Sequence, residues 1–422
     1  MDQSTHSRPL RQQPLPEAFP GVHAMDSEEE EAVLRVCRSR SLFRYYGIHP
    51  QQEVKQFEGE FAHFLGVRHA LAVTSGTTAL QVALAALQVG PGQEVIVPAY
   101  LWVSVVAAVV NMGAIPVLAE IDETFGLDVD DVSRRITPRT AGMIVVHMSG
   151  APANIVPLAA LARERGIFVV EDCAQCVGGH VAGQPVGTFG DMGIYSFQAN
   201  KNMSSGEAGA VVTNDPVLAA RAIASHDLGY ARDHSDQLLV RDSQVSTWGR
   251  GCRLDELRAA VLRVQLRKLP VTVRRMQSSN QIIRRALERA GIHFRSVADP
   301  QGDTGSFLIL VHPDEASARR VVARSRWHGI ACSCTETSNT VLIDYGLHIY
   351  SNIPSLVLKH GSGAPGFPWS LAENSSSVYE YGPGSCPVSD ALFRRSQLLA
   401  IPSCLDDQDE QDVIAGILDG IA

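Results

Sequence analysis

Seven short apolar runs, at 69–73, 94–97, 115–120, 142–147, 167–171, 192–197 and 208–213, alternate with stretches of helical periodicity at 77–87, 102–111, 129–136 and 158–165. Strands that are apolar on both faces need cover on both faces, and helical crossovers supply it. The alternation therefore predicts an α/β domain built around one mainly parallel seven-stranded sheet. Open sheets of this kind collect their ligands outside the carboxyl ends of the strands, so the residues that follow each apolar run are where chemistry is sought.

Beyond the last of these runs, a helical pattern starts after Arg253, is touched by Pro270 and resumes to Ala290. After it, 307–311 reads as a strand, 315–328 as a helix, and 361–387 is rich in Gly, Pro and Ser. The expected organisation is a polar N-terminal arm over 1–27, a large domain over 28–265 and a smaller α+β C-terminal domain over 266–422, joined by a long helix. No apolar stretch of 18 residues occurs, and the polar, Pro- and Gln-rich N-terminus lacks the apolar centre of a signal peptide. A cytoplasmic location without a membrane partner is the expectation. A formal net charge of −9 argues against nucleic acid as a partner. Cys173 and Cys176 form a C-x-x-C with no second half at metal spacing, and the pair reads as small buried residues after a strand, so no metal is expected.

Four features stand at strand ends. Thr74-Ser75-Gly76-Thr77 follows a strand and opens a helix, where backbone N–H groups and the helix dipole favour an anion. The same residues also suit a plain N-cap and tight turn. Tyr100 and Trp102 place aromatic rings at the next strand end, able to stack on a flat heteroaromatic ring or simply to pack. Asp172 ends an apolar strand, and a buried carboxylate there needs a partner; a pyridinium N–H satisfies it, as does a helix cap. Lys201, one of only four lysines, sits on a small polar loop between the runs 192–197 and 208–213. A primary amine held there forms a Schiff base with an aldehyde once its surroundings leave part of it uncharged. Lysine, acid, aromatic ring and anion-binding turn, in this order, are what pyridoxal 5′-phosphate chemistry requires.

At these residues the chain resembles the DegT/DnrJ/EryC1/StrS family of sugar aminotransferases, within fold-type I of the pyridoxal phosphate enzymes. The resemblance is close over roughly 30–270. It implies Ser75, Gly76, Thr77 and Ser196 as phosphate ligands, Trp102 as the ring stacked on the cofactor, Asp172 on the ring nitrogen, Gln175 near the 3-hydroxyl and Lys201 as the Schiff-base lysine. It also implies a homodimer with shared active sites.

Two departures stand out. The family's G-E-G-G reads Gly206-Glu207-Ala208-Gly209, and its G-x-N-x-R reads Gly249-Arg250-Gly251-Cys252-Arg253. The asparagine that reaches the neighbouring subunit's phosphate is thus absent at Gly251, and Arg250 is the candidate to replace it. The implied reaction moves an amino group from glutamate or glutamine to a ketosugar or keto-cyclitol in secondary metabolism, with Tyr45, Tyr46 and His348 as candidates to line the acceptor pocket. Retention of Lys201 favours transamination over the dehydratases of the same family. A dehydratase, epimerase or lyase-like pyridoxal phosphate enzyme remains an alternative, and a non-catalytic binding protein on this fold a remoter one. A nicotinamide dehydrogenase fits poorly, because no G-x-G-x-x-G follows an early strand.

Overall fold

The computed structural model describes residues 8–233, 235–241, 245–361 and 363–421; the first seven residues of the expected N-terminal arm lie outside them. The large sheet consists of β1 (His69–Val73), β2 (Glu94–Pro98), β3 (Ile115–Ala119), β4 (Thr140–Val146), β5 (Phe168–Asp172), β8 (Met192–Ser196) and β9 (Gly209–Thr213). A two-stranded hairpin, β6 (His180–Val181) and β7 (Gln184–Pro185), stands apart. The order across the sheet is β1-β9-β8-β5-β4-β2-β3. Pairings from β3 through β2, β4 and β5 to β8 are parallel, while β9 runs antiparallel to both β8 and β1. Only β9 opposes the common direction, so six strands deliver their carboxyl ends to one edge.

The seven predicted runs are these seven strands, shifted by a residue or two at their ends. Alternation across the pleat explains why they are apolar on both faces: on β8, Ile194 faces one buried cluster with Val82 and Val105, while Tyr195 faces another with Phe57 and Phe61. Phe61 meets the rings of Tyr195 and Phe197 edge-on, at 4.9 and 5.5 Å.

A single helix, Glu256–Arg289, carries the chain out of the large domain with Pro270 inside it. A proline costs an isolated helix about 3 kcal/mol. Leu266, Leu269, Val273 and Met276 bury that helix against the second cluster, which holds it together across the missing donor. The C-terminal sheet is fully antiparallel, ordered β10 (His293–Phe294), β11 (Phe307–Val311), β13 (Ser396–Ala400) and β12 (Asn339–Val341). Helices Glu315–Trp327 and Asp407–Ile421 pack together beside it.

Two segments leave their own part of the chain. Leu15 joins the C-terminal core, and Gly21 donates its N–H to the carbonyl of Lys201 at 3.0 Å. The Gly-, Pro- and Ser-rich segment returns over β3, the edge strand: Tyr381 OH donates to Pro116 O at 2.8 Å and Asn374 Nδ2 to Gly113 O at 2.9 Å. Edge strands leave backbone acceptors unpaired, and this strap satisfies one on β3 at Pro116 and one just before it at Gly113. Among the described residues no helix is long and apolar enough to cross a membrane.

Candidate active site

Lys201 stands five residues beyond the end of β8, in a cleft also lined by Ala18, Pro20, Gln175, Ser306 and Tyr345. Burial pushes its amine down to about 8, against the pull of Asp172 and Glu207. Part of the amine is therefore uncharged near neutral pH, which the loop position alone did not establish.

Asp172 closes β5 and is almost fully buried. One of its oxygens accepts from Ala174 N–H at 2.9 Å; among the described residues no donor reaches the other. Burial raises its pKa, opposed by that N–H and by the charges of Lys201 and His147. The preceding residue, Glu171, is buried too but fully engaged: it accepts from the N–H groups of Gly187, Phe189 and Gly190 and from His147 Nε2 at 3.0 Å. Ala153 N–H donates to His147 Nδ1, which fixes the proton of that ring on Nε2, facing Glu171. Two adjacent carboxylates on one strand thus point to opposite faces, one structural and one open.

The helix Gly76–Ala86 starts where β1 ends. Ser75 and Thr78 form a reciprocal capping box, so the N-cap reading of this turn holds as well. The first N–H groups of a helix have no intrahelical acceptor, and those of Gly76 and Thr77 remain open to an anion. Ser196 closes the cradle: a Cβ added to Gly76 would lie 2.8 Å from Ser196 Cβ. Thr77 Oγ1 meets Ser104 Oγ at 2.7 Å.

Trp102 and His348 come together although 246 residues separate them, because Leu101 N–H donates to His348 O and Tyr100 bridges Ile349. The ring centroids of Trp102 and His348 are 4.7 Å apart, and Tyr345 stacks on His348 at 3.9 Å and 8°. Gln175 Nε2 lies 3.3 Å from His348 Nε2. Burial, and then the charge of Lys201, push the imidazole down to about 3, so it is neutral.

Tyr45, Tyr46 and Arg250 lie elsewhere. Tyr45 OH meets His226 Nε2 at 3.3 Å and its ring lies beneath Arg232 at 3.5 Å; none of these contacts is with the cluster above. Tyr46 is largely exposed and packs on Phe43. Arg250 turns its guanidinium to Met112 Sδ at 3.1 Å. Gly251 adopts φ +65°, a left-handed conformation that Gly and Asn favour. Cys173 and Cys176 are buried, and burial pushes both thiols well above their ordinary range.

The sequence reading missed His147, Ser149 and Arg295, whereas Tyr345 lies in the same 344–350 segment as His348, which was expected to line the acceptor pocket. His147 and Ser149 follow β4 as Asp172 ends β5, so the strand-end rule had the signal. Nothing local marks Arg295, which reaches this region only through the packing of the two sheets.

A mainly parallel sheet delivering a lysine, an acid, an aromatic ring and an anion cradle to one edge is the arrangement of the pyridoxal phosphate enzymes of fold type I. Residues 23–343 match the DegT/DnrJ/EryC1/StrS aminotransferase family, and the chain belongs to it. It is 34% identical over 408 residues to the erythromycin biosynthesis sensory transduction protein EryC1 of Saccharopolyspora erythraea, covering 95% of this chain and 99% of that one. It is 37% identical over 269 residues to an L-glutamine:2-deoxy-scyllo-inosose aminotransferase of Streptomyces kanamyceticus, covering 62% of this chain and 61% of the relative. Two other curated relatives are matched over 55% and 48% of their length. The crystal structure of 3-amino-5-hydroxybenzoic acid synthase superposes with a TM-score of 0.78 at 27% identity, covering 97% of this chain and 99% of that one.

The cofactor of this class is pyridoxal 5′-phosphate, and the residues fit it. The cradle at Gly76 is a space that a single Cβ would fill, Asp172 keeps one oxygen free for a ring N–H, and Lys201 offers a partly uncharged amine.

Proposed function

We propose that this chain moves an amino group from glutamate or glutamine to the carbonyl of a ketosugar or keto-cyclitol in secondary metabolism. The observation that carries the reading is the Lys201 amine, lowered to about 8 at the carboxyl edge of the sheet with Asp172 as a counter-charge. When bound, pyridoxal phosphate supplies an aldehyde for the donor's amine and a ring that takes up the electron pair released with the α-proton. Lys201 holds the cofactor and then, as a free amine, takes the proton from the donor's α-carbon and returns it one position along. Asp172 keeps the ring nitrogen protonated, Trp102 supports the ring face, and Ser75, Gly76, Thr77 and Ser196 bind the phosphate. Gln175 meets the ring's oxygen, and His348 lines the acceptor side.

The keto-cyclitol acceptor is favoured by the similarity to the L-glutamine:2-deoxy-scyllo-inosose aminotransferase of Streptomyces kanamyceticus, and secondary metabolism by the similarity to the erythromycin biosynthesis protein EryC1 of Saccharopolyspora erythraea. We assign the active form as a homodimer, in which Arg250, resting on Met112 in the single chain, would swing to the neighbouring subunit's phosphate. Exposed Ile48, Leu228, Tyr230 and Trp248 support this, since single chains rarely leave such a set uncovered.

The test is a single-turnover half-reaction: protein loaded with pyridoxal phosphate is mixed with L-glutamine or L-glutamate, and the keto acid released is measured. One equivalent is expected from the wild type and none from Lys201→Ala. Keto acid from the variant at the wild-type rate would refute the role of Lys201. Product formed from a sugar substrate with no keto acid would favour the lyase-like alternative.

A further inference from the structure

We propose that Arg295 and Ser149 are positioning residues that aim Gln175 at the cofactor, and that the C-terminal domain sets this aim; the proposal rests on the reading that Gln175 faces the bound ring. Ser149 follows β4 with φ +53°, a left-handed conformation that a serine adopts only at a cost, and Gly150 follows at +80°. Strain of this kind persists where the surroundings over-determine it. Here they do. Arg295, only 3% exposed and belonging to the C-terminal part of the chain, donates Nη1–H to Met148 O at 2.9 Å and Nη2–H to Ser149 O. Ser149 Oγ meets the buried hydroxyl of Tyr100 at 2.6 Å, and Thr304 donates both N–H and Oγ1–H to Gly150 O.

The geometry of the peptide links this clamp to the site. In a trans peptide the carbonyl and the N–H point in opposite directions. Met148 C=O and Ser149 N–H share one plane, so an arginine that pins the carbonyl on one side aims the N–H on the other. That N–H donates to Gln175 Oε1 at 3.0 Å. With its oxygen committed, Gln175 can present only its NH₂ group to the site, which is where His348 Nε2 lies. A guanidinium held between sheets thus decides which end of a glutamine faces the ring.

The experiment uses the holoenzyme and two readouts other than turnover: the pH titration of the bound cofactor's visible absorption, and the Kd of the apo-protein for pyridoxal phosphate. Gln175→Ala is the reference and is expected to move the titration midpoint and weaken binding about tenfold. Arg295→Met should move both in the same direction, Arg295→Lys should restore them in part, and Arg295→Met should add nothing in the Gln175→Ala background. Equal shifts from Arg295→Met with and without Gln175 would mark Arg295 as merely structural and overturn the proposal, as would a wild-type titration in folded Arg295→Met. A silent Gln175→Ala would instead show that Gln175 does not face the cofactor, and the proposal would fall with that reading. If Arg295→Met does not fold, Tyr100→Phe, which frees only the Ser149 hydroxyl, carries the same test: a shift that vanishes without Gln175 supports the clamp, and one that persists overturns it.

Discussion

Gln175 Nε2 and His348 Nε2 are 3.3 Å apart, and two nitrogens at that distance form a hydrogen bond only if one is a bare acceptor. His348 Nδ1 lies 3.1 Å from Tyr345 O, which can only accept, so the proton of the ring is on Nδ1 and Nε2 takes the bond from the glutamine. The site therefore holds a neutral imidazole whose tautomer is set on both sides.

Gln175→Glu reverses this arrangement. Its carboxylate would face the bare nitrogen of His348, and a nearby negative charge favours protonation of the ring. The expected outcome is a His348 pKa raised well above its present value of about 3, seen by NMR as a new imidazole titration that Gln175→Glu/His348→Asn lacks. No new titration would show that the two side chains are not in contact.

The cradle at Gly76 makes a second test. Gly76→Ala puts a methyl 2.8 Å from Ser196 Cβ, closer than carbons pack, so Ser196 or the start of the helix must shift. Overpacking of this kind costs about 1–3 kcal/mol, and it falls on the proposed phosphate site. Weaker pyridoxal phosphate binding is expected by equilibrium dialysis, while pyridoxal without the phosphate binds as before. Equal losses for both ligands would place the phosphate elsewhere.

How much of this was legible in the sequence follows from which interactions are local. Strand ends with special residues, at Ser75, Trp102, Asp172 and Ser196, are legible directly, because runs apolar on both faces mark the strands and the mainly parallel topology ties each motif to one sheet edge. Lys201 was found by its loop, but its lowered pKa comes from burial among elements far away in sequence. Arg295 was not legible, since it belongs to no pattern and gains its meaning from the docking of the C-terminal segment. Tyr45, a candidate for the acceptor pocket, has its side chain held instead by Arg232 and His226.

Exposed apolar residues give a third test, of the dimer. Trp248 is 93% exposed, and its neighbour Thr247 donates N–H to Gly229 O at 2.8 Å, which places it beside exposed Leu228 and Tyr230. Burying Trp248 between subunits would remove this surface from water, and a charge there would forfeit that gain. Sedimentation equilibrium is expected to find a dimer for the wild type and monomers for Trp248→Asp. Arg250→Ala should stay dimeric yet bind pyridoxal phosphate more weakly; unchanged binding would remove Arg250 from the phosphate site.

Lys201 itself gives the last test, and its sign can be worked out. An ordinary lysine keeps its proton to about 10.5, whereas in the folded chain Lys201 releases it near 8. Between these values the unfolded chain binds one proton more than the native one, so this residue makes stability rise with pH across the window. Below about 8 both states are protonated and its contribution is a constant penalty. Buried thiols such as Cys173 and Cys176, whose pKa values are raised, act with the opposite sign in the same range, so the wild-type curve alone does not isolate the lysine. Comparison of the apo wild type with Lys201→Met does. Met fills similar space without a charge, so the variant is expected to be the more stable at pH 7 by urea denaturation, and its advantage should shrink steadily from pH 8 to 10.5. The same deprotonation exposes the nucleophile that captures the aldehyde, so the rate at which apo-protein takes up pyridoxal phosphate should rise with a midpoint near pH 8. A stability difference that stays flat across the window, together with a capture rate still climbing at pH 10, would return Lys201 to an ordinary surface lysine and remove the observation on which the proposed reaction stands.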